Sequence, residues 1–131
     1  MSFEVFVMRF EHGAPAPLDP AVVREVLDPY VVARGADGQE LCVETADGGE
    51  ADVRIGADGV TFHRFGGAGI MDLIAALLRR LEAVLVVPGG PFVVHREEAG
   101  AQVTPGLGES SGWPVVVATD GAAVARAIEE A

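Results

Sequence analysis

Lysine is absent from this chain; its nine cations are the arginines at positions 9, 24, 34, 54, 64, 79, 80, 96 and 126. That removes a lysine phosphate grip, a Schiff-base amine and a lysine general base. Cysteine is nearly as scarce. Cys42 stands alone, so no intrachain disulfide and no cysteine-rich zinc site can form. Long apolar runs are missing too: the strongest, Ile70 to Leu78, carries Asp72 and is far shorter than the roughly 20 residues a membrane span needs. The opening stretch to Phe10 carries Glu4 and lacks a basic flank, unlike a signal peptide. The expectation is a cytoplasmic protein with no membrane contact.

Basic charge as a whole is short. Nine arginines face 20 acids, a net charge of −11. Such a field repels phosphate backbones and anionic lipid, which argues against nucleic acid as a partner, and it favours a cationic protein. What the chain does have is 131 residues, half of them hydrophobic, with mean hydropathy +0.33. That is enough for one cored domain over 1–131 without staples.

Periodicity assigns the elements. Phe3 to Phe10 is apolar on both alternating faces, as in a strand covered on both sides. Gly13 to Pro17 reads as a stiff connection, and Asp19-Pro20 as the cap and first position of a helix ended by Pro29. Ala-Asp-Gly recurs at 36–38, 46–48 and 57–59, each supplying the positive φ that tight hairpins demand. The runs between, at 30–33, 40–44, 52–55 and 60–65, form an antiparallel meander over about 30–65. Gly66 to Gly69 leads to a helix from Ile70 to Leu81, with Ile70, Leu73, Ile74, Leu77, Leu78 and Leu81 as its apolar stripe. A hairpin at 83–95, a loop over 97–112, a short buried strand at 114–117 and a last helix capped by Thr119 or Asp120 complete the chain. The expected fold is α+β, mainly antiparallel sheet, with about three helices packed on it.

Few residues carry legible chemistry. Gly108-Glu109-Ser110-Ser111-Gly112 has the pattern of a hydrolase nucleophile elbow but lacks the flanking strand and helix, and no histidine follows His95. Phe65 to Ile70 has the strand–glycine–helix order of an anion cradle. Asp72 takes the place of its third glycine, so a turn folding the helix closely onto the sheet is the simpler reading. His63 and His95, with Glu97, Glu98 or Asp52, form the alternative of a metal or acid–base site if the fold brings them together. No motif calls for a cofactor.

Charge placement is more informative. Residues 37–58 carry seven acids against Arg54 alone, net −6. By alternation Glu40 and Glu44, with Asp52 one strand over, face solvent. Such a plate either guards sheet edges or steers a basic partner. Trp113 beside the 97–112 loop is the other candidate contact, as a binding anchor or a core plug.

The opening Met1-Ser2-Phe3-Glu4-Val5-Phe6, the helix ending near Pro29-Tyr30, the hairpin array and the long apolar helix before a Val-rich strand together resemble a set of small, mostly uncharacterised bacterial α+β proteins. In size and acidity the chain also resembles immunity proteins of bacterial toxin systems. That second resemblance implies an inhibitor of a cationic partner and supplies no site residues. The expected function is a non-enzymatic binding module using Glu40, Glu44, Asp52 and Trp113. The alternatives are a small enzyme or metal protein using His63 and His95, or a homodimeric structural module.

Overall fold

A computed structural model of the protein describes residues 4–102 and 111–130. The first strand, β1 (Glu4–Glu11), turns at His12–Gly13 into β2 (Ala14–Ala16), which pairs back onto it. A short strand therefore replaces the expected stiff connection. It is held because His12 and Gly13 both take positive φ, and their N–H groups reach the side chain and carbonyl of Gln102.

Helix α1 (Pro20–Leu27) begins as its sequence dictates, with the Asp19 carboxylate accepting from the Ala21 N–H and proline in the first turn. Pro29 forces a 3₁₀ turn at Asp28–Tyr30. The meander follows as β3 (Val31–Arg34), β4 (Glu40–Glu44), β5 (Glu50–Ile55) and β6 (Gly59–Gly66). Helix α2 (Ala68–Leu81), the hairpin β7 (Val84–Val86) and β8 (Phe92–Val94), a single turn α3 (Glu97–Gly100), β9 (Val115–Val117) and α4 (Gly121–Glu129) complete the described chain. Asp120 caps α4 by accepting from the Ala123 N–H.

These strands make one sheet in the order β3-β4-β5-β6-β1-β7-β8-β9, with β2 attached to β1. All pairings are antiparallel except β8 with β9. The sheet is therefore mixed and more dominant than the sequence suggests: among the described residues nine strands stand against four helices, one of them a single turn.

Helices α1, α2 and α4 all pack on one face. There Val5, Val7, Leu41, Val43, Val53, Val60, Phe62 and Leu85 meet the whole α2 stripe in one buried core. Each fully buried side chain of this kind contributes about 1.5–3 kcal/mol. Among the described residues the opposite face is covered only at one end. Phe10, Val84, Phe92, Val94 and Ala99 form a second, small core beneath Trp113. Phe6 and Met8 on that face of β1 are only half-buried, so β1 is not covered on both sides as expected.

Two further expectations fail locally. Gly38 and Gly48 have φ of +72° and +87°, but Gly59 does not take positive φ, because it enters β6 opposite Met8. The strand at 115–117 is not buried. It forms a sheet edge, leaving Val115 and Val117 39% and 44% exposed.

Candidate functional site

The uncovered part of the sheet, over β4, β5 and β6, is where the sequence placed its acidic plate. Thr45 N–H bonds the Gly49 carbonyl and Ile55 N–H bonds the Gln39 carbonyl. By antiparallel alternation, the residues facing away from the helices are then the non-hydrogen-bonded pairs, whose side chains lie closest. Those pairs are Glu40 with Arg54, Cys42 with Asp52, and Glu44 with Glu50.

Each rung has its own chemistry. Arg54 Nη1 bonds Glu40 Oε1 at 2.9 Å, an exposed pair worth about 0–1 kcal/mol. The Cys42 Sγ donates to Asp52 Oδ1 at 3.3 Å, and Arg64 stands 3.8 Å from the other Asp52 oxygen. The bond to Asp52 pushes the Cys42 thiol above its ordinary range. Slight desolvation and the nearby charges of Asp52, Glu50 and Glu44 add to that effect. A thiol ringed by carboxylates resists becoming the thiolate that a nucleophile requires. Glu44 and Glu50 face each other with no ion pair among the described residues. Like charges directly opposite are destabilising.

Of the residues singled out from sequence, Glu40, Glu44 and Asp52 thus share one open face. Sequence reading missed the opposing Glu50 and the arginine partners of Glu40 and Asp52, because neither follows without strand register. Trp113 lies elsewhere. It is half-buried over Phe92, ring centroids 5.1 Å apart and tilted 41°, and plugs the small second core.

The two histidines do not meet. His63 sits on β6 opposite Asp52 and Glu4, and His95 follows β8. Strands β1 and β7 intervene, which at the usual spacing separates β6 from β8 by about 14 Å. His95 instead pairs with Glu82 at 2.9 Å, and Arg96 reaches the same oxygen. Those contacts lower the Glu82 carboxyl, His95 first, and hold a residue that ends α2 with φ of +53°. Among the described residues no three of His, Cys, Asp and Glu converge on a metal position. Ser110 and its glycine-flanked motif lie largely outside the described residues.

A hollow of about 620 Å³ is not foreseen from the sequence. It runs along α2 between α1 and the β4–β5 turn, over Val26, Tyr30, Leu73 and Ala76. Its end is closed by Asp47, which accepts from Thr45 Oγ1 and Gly49 N–H with one oxygen and from Gly69 N–H with the other. The anion at this helix start therefore belongs to the protein itself. These bonds, Thr45's first, hold the Asp47 carboxyl down at about 2. The approach needs glycine: a Cβ on Gly67, whose φ is +106°, would lie 2.7 Å from Gly49 Cα. That fits the close-packing reading of Gly66–Gly69. Arg80, at the other end, is engaged by Glu25 at 2.6 Å.

No protein-family model, no curated protein and no solved structure matches this chain. Among the described residues no helix is long and apolar enough to cross a membrane.

Proposed function

We propose that the protein is a binding module whose open sheet face docks a cationic protein partner. The observation that carries this reading is the Glu44–Glu50 rung, two carboxylates held opposite each other on a part of the sheet that no described helix covers. A fold gains nothing from that arrangement in isolation, whereas a basic surface laid across it relieves the repulsion and pairs both groups. Inhibition of a basic partner by covering its cationic surface, as immunity proteins do, is the form of binding that this geometry suits. Co-purification at low and high salt tests it, comparing the parent chain with Glu44→Gln/Glu50→Gln. A basic protein retained by the parent, lost in high salt and lost in the variant is the expected result. Equal retention by both chains would remove the proposal.

Self-association has one observation of its own. The outward edge of β9 presents Val115 and Val117 without charge or bulge, features that leave a strand open to pairing. Light scattering of the parent and of Val117→Pro, which blocks the outer N–H while sparing the ladder to β8, distinguishes a dimer from a monomer.

A further inference from the structure

A glycine interrupts the open face at one in-register position. Gly59 stands opposite Met8 on β1, where any other residue would project a side chain toward the open side. Its absence leaves a hollow of about 260 Å³ between Phe6, Met8 and Thr61, with Asp58 and Arg54 at the rim. This is smaller than the roughly 300–1,000 Å³ of sites for drug-sized ligands, and suits one long side chain. Its walls combine an aromatic ring and a thioether with a carboxylate. Arg54 is already engaged by Glu40, while Asp58 is exposed and makes no ion pair among the described residues.

We infer that this hollow is the anchor pocket for a single arginine of the cationic partner. The inference rests on the docking reading above and names the residue that the partner inserts. An arginine stem lies along Met8 and Phe6. Its guanidinium, planar and weakly hydrated, stacks on the aromatic ring and pairs with Asp58, which an ammonium does less well.

The test uses the full chain with methionine methyl groups labelled for NMR and three capped tripeptides, Gly-Arg-Gly, Gly-Lys-Gly and Gly-norleucine-Gly. Met8 is the reporter. Met71, buried on the helix-covered side, is the internal control. The arginine peptide should shift Met8 saturably and leave Met71 unmoved, with lysine and norleucine weaker. Asp58→Asn should weaken arginine binding by about two- to fivefold, the size of an exposed ion pair, and leave norleucine unchanged. Gly59→Ala should weaken all three, since its Cβ would come within 3.4 Å of Met8 Cγ. Norleucine or lysine binding as tightly as arginine would overturn the assignment. So would a silent Met8 while the amides around Glu44 and Glu50 respond; that result ends the pocket and leaves the docking reading standing. Silence across the whole face ends both.

Discussion

If Glu50 is kept for a partner, replacing it should make the isolated protein more stable. Glu44 and Glu50 form a non-hydrogen-bonded pair, with Cβ atoms about 4.5–5.5 Å apart. Two unit charges about 5 Å apart in water repel by about 0.8 kcal/mol. Physiological salt, with a screening length of about 8 Å, halves this. Carboxylates that swing apart retain less, so Glu50→Gln should stabilise by ~0.2–0.4 kcal/mol, near the lower end for cross-strand pairs. For 131 residues that is a rise in Tm of about 1–2 °C. Thermal melts at low and high salt read it directly, and the gain should be larger at low salt. Glu40→Gln is the matched control, because Glu40 faces Arg54 and its neutralisation should bring no gain. A fall in Tm for Glu50→Gln, or a gain indifferent to salt, would refute the reasoning, whatever the binding assay shows.

The remaining predictions concern the elements that frame this face. The Asp47 carboxyl at about 2 lies below its ordinary 3.8, so its contribution is complete above pH 3.8 and fades as pH falls through 2. Asp47→Ala should therefore melt below the parent at neutral pH and converge with it near pH 2; a constant gap would contradict the capping account. Cys42 should alkylate more slowly than a free cysteine, and Asp52→Ala should accelerate it by removing both the acceptor and the charge that raise the thiol. Phe92→Ala should cost about 3–5 kcal/mol in chemical denaturation and red-shift the emission of Trp113, the chain's single tryptophan. Phe62→Ala, on the helix-covered side, should cost as much without that shift while the protein stays folded.

What the sequence discloses and what it hides divide along local and non-local information. The Asp19-Pro20 start of α1, the 3.6-residue stripe of α2 and the β4 alternation are all written within a few residues, and the structure contains each. β2 is hidden from sequence because its only strand signal is its partner β1. The exposure of 115–117 is hidden for a related reason: three valines suit an interior strand and an edge strand alike, and only sheet order decides. The acidic face was legible as an alternation. The identity of each carboxylate's opposite number was not, since register between β4, β5 and β6 is set by turns and core packing together.

Register also changes what the charge count means. Of the seven acids between 37 and 58, Asp37 accepts from the Gln39 N–H, Glu40 is paired with Arg54, Asp47 caps α2, and Asp52 holds Cys42 and faces Arg64. Among the described residues that leaves Glu44, Glu50 and Asp58 without a partner. They do not form one patch. Glu44 and Glu50 lie at one end of the β4–β5 ladder, and Asp58 lies past its other end, beyond Ile55. The five steps from Glu50 to Ile55 alone span about 17 Å at strand rise. A partner docked as proposed must therefore present basic groups at least that far apart, with the arginine anchor at the Asp58 end. A peptide carrying two arginines on adjacent residues should engage one end at a time and gain nothing from the second. Spacing them by about 17 Å should bring the avidity of simultaneous contact. Equal affinity for the two peptides would mean that the ends of this face do not act together.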